Sequence, residues 1–419
     1  MRDHPTLTSA GTRRVPQLLR DRDFGPYFAG QIVATMAVWI HNVAAAILVW
    51  ELSRSTLLVA AITVAQFTPQ ILLTPAAGTR ADRGDRRRQL VTGTLITASG
   101  TGLLAVWSAT VGLAGVAGAW AVVTAATIVG TGFAVGGPAG QALLPSLVRD
   151  GELATAIAVS TVPMTIARAL GPALGALLIT TGGATLTFTV TSVLQLLFAV
   201  LMFRREQSTN GTVQGDTRIG TAVAYVLSER RVAWLLVGIV IVGLGVDPVV
   251  TLTPAIADRL GGGGDLVGIL TSLFGVGALL GFAVQPSTRH RLGIERTGTI
   301  GLLTLATGLG LLAVAPTAIT ASATMLISGT GMTLALTAFT TGIQQLVPDA
   351  LRGRVMALWS VAFLGSRPLA AAISGAIADT AGEQSALLVA VAIIAAGAVP
   401  SRPAHTAEAP SGTPVRAHG

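Results

Sequence analysis

About a dozen apolar stretches alternate with short polar segments along this chain, and each is close to the 20 residues that a helix needs to cross a bilayer. Inside the hydrocarbon core no water can satisfy backbone N–H and C=O groups, so only helices and closed barrels are stable there. The mean hydropathy of +0.70 and the charged fraction of 11% fit a chain that lies mostly in lipid. We therefore predict an all-α membrane protein with twelve transmembrane helices, over residues 28–50, 57–77, 90–109, 113–135, 153–179, 186–203, 234–256, 266–284, 299–314, 318–343, 355–378 and 386–399.

A polar, Arg-rich stretch lies between the sixth and seventh predicted spans. We interpret residues 204–231 as a linker between a first six-helix half over 21–203 and a second over 232–400. The tails over 1–20 and 401–419 are short and polar, and we expect them to be disordered.

The distribution of Arg predicts the orientation, because all 27 basic residues are Arg. The segments before the first span, after the second, fourth, eighth and tenth spans, and in the linker together hold most of the Arg residues, whereas the opposite loops hold only Arg54 and Arg259. By the positive-inside rule, both termini and the linker face the cytoplasm. The composition is typical of a GC-rich bacterial genome, which places the chain in a bacterial cytoplasmic membrane. The net charge of +8 thus reflects topology, and we expect the bilayer rather than nucleic acid as the partner.

The sequence lacks the residues that several kinds of metal site and enzymatic activity require. The sequence has no cysteine, no cluster of His, and no Gly-x-x-x-x-Gly-Lys-Ser/Thr loop. Thiolate metal sites are therefore excluded, and this chain is not expected to hydrolyse ATP. We expect no metal, no cofactor and no enzymatic activity.

The two predicted halves are related by an internal repeat with an offset of 203 residues. Residues 141–149 read Gln-Ala-Leu-Leu-Pro-Ser-Leu-Val-Arg, and residues 344–352 read Gln-Gln-Leu-Val-Pro-Asp-Ala-Leu-Arg, with four identities in nine positions. Two six-helix halves in parallel repeat are typical of transporters that work by alternating access, with the substrate path between the halves.

Two motifs resemble those of the major facilitator superfamily. Residues 78–87 are similar to its signature between the second and third helices, and Gly171-Pro172-x-x-Gly175 is similar to a motif of its drug antiporters. Residues 133–178 and 345–356 resemble bacterial exporters of the transmembrane secretion effector type, which include siderophore and macrolide exporters.

The resemblance implies a monomeric secondary transporter that exports a small amphipathic compound, such as a drug, a macrolide, a siderophore or another secondary metabolite, in exchange for protons. An uptake permease of the same fold and a non-transporting membrane sensor are the alternatives.

The charged turn after the second predicted span is interpreted as a cytoplasmic latch. Gly78 lacks a side chain and would permit close approach of a helix from the other half. Asp82 is expected to accept hydrogen bonds from neighbouring Arg residues or to lie at the N-terminus of the eleventh helix, where the helix dipole favours an anion. The alternative is a set of charges that only fixes topology. The residues assigned to the latch are Gly78, Asp82, Arg83, Arg86, Arg87 and Arg354, the last at the predicted beginning of the eleventh helix.

The Gly-Pro motif is predicted to interrupt the fifth helix. Proline lacks an amide donor, and glycine removes side-chain bulk. Gly171, Pro172 and Gly175 would then offer a smooth, bent surface for a gating contact, with simple tight packing as the alternative for Gly175.

Three charged residues lie inside predicted spans, where charges are costly and often functional. Arg168, Asp247 and Arg367 each lie about 20 Å from the cytoplasmic face, at the helical rise of about 1.5 Å per residue. Asp247 is expected to pair with Arg367 in its own half or with Arg168 across the interface. A carboxylate that exchanges an Arg partner for a proton would couple transport to a proton gradient, whereas a permanent pair would be structural.

Other polar residues in the spans are candidates for the cavity wall. His41 and Asn42 lie in the middle of the first span, and Glu51 lies near its outer end. His41 would either titrate in the cavity or bond to a neighbouring helix. Four glutamines would either contact the substrate or form hydrogen bonds between helices. They are Gln66, Gln70, Gln141 and Gln344.

Overall fold

The computed structural model describes residues 15–149, 151–203 and 219–398. In these ranges the chain forms thirteen α-helices and one short 3-10 helix, Leu144–Leu147. The α-helices are α1 (Val15–Leu19), α2 (Phe24–Ser53), α3 (Thr56–Arg83), α4 (Arg86–Thr110), α5 (Gly115–Leu143), α6 (Leu153–Ser160), α7 (Val162–Phe203), α8 (Ile219–Ser228), α9 (Arg230–Arg259), α10 (Gly264–Leu292), α11 (Ile294–Ala313), α12 (Ala318–Leu346) and α13 (Asp349–Ala398).

Ten of the described helices are long and apolar enough to cross a membrane. Two of them, α7 and α13, each contain one glycine with non-helical dihedral angles, Gly183 (φ 71°, ψ −177°) and Gly382 (φ 84°, ψ 158°). Residues with a Cβ rarely adopt such angles, so each glycine is where one long helix becomes two spans. Eight helices therefore cross once and two cross twice, which confirms the predicted all-α fold with twelve transmembrane helices.

Some of the spans begin at a residue whose side chain caps the helix. Asp85 accepts hydrogen bonds from the backbone N–H groups of Arg87 and Arg88 at the beginning of α4. Thr317 forms a capping box with Thr320 at the beginning of α12. These side chains satisfy amide groups that have no partner within the helix, so they fix where each span begins.

The helices pair in the same pattern in both halves of the chain. In the first half α2 packs along α7, and α5 packs along both α3 and α4; in the second half α9 packs along α13, and α12 packs along both α10 and α11. The halves meet mainly where α3 packs against α13 and where α7 packs against α10. One buried hydrophobic cluster belongs wholly to residues 222–398, so the second half has a core of its own.

The predicted linker and the predicted N-terminal tail each contain a short helix. The predicted linker contains α8, and α9 already begins at Arg230. The predicted N-terminal tail contains α1, whose Leu18 is buried. Both segments pack apolar side chains against the bundle. The prediction missed these helices because it was based on the overall polarity of each segment. Residues 204–218 and the predicted C-terminal tail lie outside the described residues.

Candidate functional site

A cavity of about 530 Å³ lies between the two halves. We call the end of the bundle with the α3–α4 turn and the beginning of α9 the linker end, and the end with the α2–α3 connection the opposite end. On α2 the lining extends from Tyr27, near the linker end, to Ala46 and no farther. The cavity therefore extends from the middle of the bundle toward the linker end.

The two halves contribute different chemistry to the cavity wall. The first half supplies a group of amide side chains, whereas the second half supplies mainly apolar side chains such as Val246, Phe274 and Phe363. The amide side chains are Gln31, Asn42, Gln66, Gln70, Gln141 and Gln195. Three of the four glutamines chosen from the sequence are in this group, and the fourth, Gln344, is not in the lining. The resulting surface suits an amphipathic molecule, with hydrogen bonding on one side and apolar contact on the other.

A buried ion pair adjoins the cavity on the side of the second half. Asp247 on α9 is 0% exposed, and its Oδ2 and Oδ1 accept hydrogen bonds from Nε and Nη2 of Arg367 on α13, at 2.8 Å and 3.4 Å. The guanidinium of Arg367 also lies 4.3 Å from the ring centroid of Phe67, which belongs to α3 of the first half. Of the two partners that the sequence left open for Asp247, the structure shows Arg367, so Asp247 pairs within its own half.

Arg168, the third charged residue at this depth, lies on α7 and lines the cavity. Its guanidinium carbon is 5.7 Å from the ring centroid of Trp39 on α2. The Arg168 side chain makes no hydrogen bond or ion pair with any group in the described part of the chain. The cavity therefore holds one paired and one unpaired guanidinium.

The three polar candidates on α2 differ in their surroundings. His41 is 1% exposed, its ring packs edge-on against Phe188 at 5.6 Å, and neither ring nitrogen has a hydrogen-bond partner. It does not line the cavity, because this face of α2 packs against α7 of the same half. Asn42 lines the cavity, and its Oδ1 has no hydrogen-bond partner. Glu51 is exposed near the C-terminal end of α2, beyond the last lining residue of that helix.

The two halves are joined at the opposite end by a carboxylate that the sequence analysis missed. Asp379 on α13 accepts hydrogen bonds from Ser55 Oγ at 2.5 Å, from the backbone N–H groups of Thr56 at 2.7 Å and Leu57 at 3.3 Å, and from Thr56 Oγ1. This carboxylate therefore lies at the N-terminus of α3, where unpaired amide groups and the helix dipole favour an anion. The Ser-Thr pair at the beginning of α3 was the available signal, but nothing in the sequence indicates that its partner is 323 residues away.

Further polar contacts between the halves also lie toward the opposite end. Arg54 pairs with Asp258 at 2.7 Å, and Thr180 Oγ1 donates to Asp265 at 2.9 Å. Together with Asp379, these contacts join three pairs of helices across the interface. They close the cavity on the side away from the linker.

The charged turn makes its described contacts within one half. Arg86 Nη1 donates to the carbonyl oxygen of Ala142, near the end of α5, at 3.1 Å, and Arg87 Nε donates to that of Met202, near the end of α7. Carbonyl groups at helix C-termini lack intrahelical partners and attract cations, so these two residues tie the turn to its own half. Arg83 is exposed.

Gly78 and Arg354, two further residues assigned to the latch, have these surroundings in the described ranges. No neighbouring heavy atom lies within 4 Å of the place where a Cβ on Gly78 would stand. Arg354 donates to Thr221 Oγ1 on α8 at 2.9 Å, and it follows the beginning of α13 at Asp349 by five residues, so it does not begin that helix as predicted. Asp82 lies in the last turn of α3, and its side chain is outside the described residues.

The Gly-Pro motif does not interrupt its helix. The segment 162–182 stays helical through Gly171 and Pro172, and the break comes only at Gly183. A Cβ on Gly171 would stand 2.4 Å from Trp39 Cβ, and one on Gly175 would stand 2.8 Å from the Ile40 carbonyl oxygen. The motif therefore permits close packing of α7 on α2. Beside it, Ala173 N–H donates to Ser272 Oγ on α10, at 2.9 Å.

No group of three or more His, Cys, Asp or Glu side chains in the described ranges is arranged to hold a metal ion.

Similarity to known proteins now identifies the family. Residues 17–409 match the family model described as transmembrane secretion effector. The chain belongs to the transmembrane secretion effector family of the major facilitator superfamily. This confirms the resemblance drawn from the two motifs, and as a member of this family the chain is a multi-pass membrane transporter rather than an enzyme.

Solved structures of transporters share the fold of this secretion effector. A D-xylose–proton symporter is 15% identical with a TM-score of 0.73, over 90% of this chain and 97% of the symporter. A bacterial homologue of the iron transporter ferroportin, in an inward-facing state, is 17% identical with a TM-score of 0.71, over 93% and 99% of the two chains. A bacterial homologue of the lysosomal transporter Spinster is 13% identical with a TM-score of 0.71, over 93% and 97%. No curated protein is significantly similar to this secretion effector.

Proposed function

We propose that this protein is a proton-coupled exporter of small amphipathic compounds in a bacterial cytoplasmic membrane, where it acts as a monomer with both termini in the cytoplasm. The observation that carries the proposal is the fully buried Asp247 carboxylate, paired with Arg367 at the wall of a cavity between two duplicated halves. The Arg-rich linker end would face the cytoplasm by the positive-inside rule. The cavity would then load its cargo from the cytoplasm.

Alternating access follows from the placement of the contacts between the halves. The Asp379, Asp258 and Asp265 contacts hold the opposite end closed while the cavity extends to the linker end. Outward opening requires these contacts to separate, and the linker end must then close. The charged turn would supply that closure, with Asp82 at the beginning of α13 as the latch.

The ion pair gives a physical route to proton coupling. A proton on Asp247 removes the charge that holds Arg367, so the guanidinium, which already lies against Phe67 of the other half, is released from α9. Loss of the proton restores the pair. Since an unpaired charge inside the membrane is costly, the protonated and paired states favour different arrangements of α9, α13 and α3. Exchange of a proton for cargo would then drive export.

The proposal is tested in energised inside-out vesicles that contain the protein. A fluorescent dye reports the pH gradient while antibiotics, siderophores and dyes are added as candidate cargoes. We expect particular compounds to dissipate the gradient with wild-type protein and to have no effect with Asp247→Asn. Asp349→Asn is the matched control, because Asp349 is 89% exposed at the linker end and should leave the response intact.

Two results would contradict the proposal. Proton movement that is unchanged in Asp247→Asn would remove this carboxylate from coupling. Flux of cargo into cells, measured with the same compounds, would establish uptake in place of export.

A further inference from the structure

We propose that the cavity binds a substrate that carries a carboxylate, and that Arg168 is the residue that pairs with it. This inference rests on the proposed transport function, because the site is the same cavity. It adds the charge of the cargo and the residue that selects it.

The charge of the cavity wall is one-sided. Its lining residues in the described ranges include two arginines and no Asp, Glu or His. The nearby acidic group, Asp247, is fully buried, and both of its oxygens already accept hydrogen bonds from Arg367. A cationic cargo would therefore meet two guanidinium groups and no exposed carboxylate, whereas an anionic cargo would meet charge of opposite sign.

Arg168 is the cation that remains without a counter-ion. A charged side chain inside the membrane normally faces a partner, because its isolation from water is costly. Arg168 instead contacts the ring of Trp39 and has its donors free on the cavity side. A guanidinium presents a planar fork of donors that matches a carboxylate in two parallel hydrogen bonds. Arg168 therefore offers the cavity both the positive charge and the planar set of donors that a carboxylate requires.

The surroundings of Arg168 fit an aromatic or amphipathic body attached to that carboxylate. Trp39, Phe67 and Phe363 line the same cavity, and Phe363 stacks on Trp359 at 5.5 Å between ring centroids. The amide residues Gln31, Gln70 and Asn42 line the same cavity and suit hydrogen bonding to a neutral polar group on the cargo. The volume of about 530 Å³ is within the usual range for a small-molecule site.

The test compares three probes that share the naphthalene ring and carry an anionic, a neutral or a cationic polar group: 2-naphthoate, 2-naphthamide and 2-naphthylmethylammonium. Equilibrium dialysis of each radiolabelled probe against purified protein in nanodiscs measures affinity without any gradient or flux. For wild-type protein we expect the carboxylate to bind at least tenfold more tightly than the amide, and the ammonium more weakly than both. Because a hydrogen bond to a charged group is worth roughly tenfold to hundredfold in affinity, Arg168→Gln should remove most of the preference for the carboxylate.

Two further variants identify the origin of any loss. Arg168→Lys keeps the charge but not the planar fork, so it should restore part of the affinity for 2-naphthoate. Arg291→Gln removes an equal charge from the exposed end of α10 and should change none of the three affinities.

Several outcomes would overturn the inference. These are equal or tighter binding of the amide or ammonium to wild-type protein, absence of measurable 2-naphthoate binding at millimolar concentration, and unchanged 2-naphthoate affinity in Arg168→Gln. The comparison among probes on the wild type needs no variant, so a folding defect cannot obscure it. Failure of this site and failure of proton coupling are distinguishable, because dialysis detects the anion preference even in a protein that moves no protons.

Discussion

Asp379 and Thr56 lie 323 residues apart in the sequence, yet the carboxylate of the first accepts both the backbone N–H and the hydroxyl of the second. The contact joins the C-terminal part of the eleventh span to the beginning of the second. It uses the same physics as the proposed latch at the linker end, where a carboxylate near the end of α3 would face the beginning of α13. The two helices run in opposite directions, so each can offer a carboxylate to the N-terminus of the other.

Asp379→Asn should weaken closure of the opposite end. The amide keeps part of the hydrogen bonding but loses the charge that favours a helix N-terminus, and Asp379 is exposed, so we expect a shift of roughly twofold to tenfold toward the state that is open on that side. The chain has no cysteine, so Thr63→Cys in the cavity wall provides a single thiol. The rate of its labelling by an impermeant maleimide from outside intact cells measures the opening. A labelling rate equal to that of the parent would show that Asp379 does not hold this end closed.

Arg367→Gln should destabilise the protein more than removal of both charges. It leaves the buried Asp247 without its partner, which typically costs about 3–5 kcal/mol, whereas the double variant Asp247→Asn, Arg367→Gln leaves no unpaired charge. Thermal unfolding in detergent should therefore give a lower midpoint for the single variant than for the double one. Proton coupling should be absent from both. An equally stable single variant would mean that the carboxylate finds another partner.

Asp82 and Asp85 should have separable roles although they are three residues apart. Asp82→Asn should slow turnover without changing substrate affinity, because the proposed latch acts on the conformational cycle. Asp85→Ala removes the N-cap of α4 and should cost about 1 kcal/mol of stability, with little effect on turnover once the protein is folded. Turnover number and cargo affinity, measured for each variant in proteoliposomes, check both expectations. Normal turnover in Asp82→Asn would leave the charged turn with a purely topological role.

Gly183→Ala should lower stability because the dihedral angles at this position are accessible almost only to glycine. The expected cost is about 1–3 kcal/mol, and the space around a new methyl group is not the cause, since no atom lies within 4 Å of it. Gly353→Ala is the matched control. That glycine is also uncrowded but lies in regular helix, so alanine should raise the midpoint slightly. Similar midpoints for the two variants would show that the angle at Gly183 carries no strain.

The sequence predicted the features that depend on distance along a helix. Span length, duplication and the shared depth of Asp247 and Arg367 follow from counting residues, and the structure contains all three. Which side of a helix faces the cavity was harder to predict, because helices in the middle of a membrane bundle are apolar on nearly every side. His41 and Asn42 are neighbours in the sequence, but only Asn42 lines the cavity.

Contacts between segments far apart in the chain could not be predicted from the sequence, for a second reason. Asp379 lies near the end of a span, where a carboxylate is usually solvated, so nothing distinguished it from Glu51. The Gly171-Pro172 motif led to a wrong prediction of a helix break. Proline always lacks an amide donor, but the helix continues when neighbouring groups satisfy the carbonyl group that is left without a partner. Gly183 gave no signal of its own in a chain with 50 glycines.

The two spans of α7 and of α13 turn at single glycines, and the other connections at the opposite end contain at most four residues. Among the described residues, that face of the molecule therefore consists of helix ends, with no extended peptide that a protease can cleave or an antibody can bind. Limited proteolysis from outside intact cells should leave the chain uncleaved. A conformation-specific binder would have to recognise the arrangement of several helix ends together. Such a binder would then report directly on whether the two halves have moved apart.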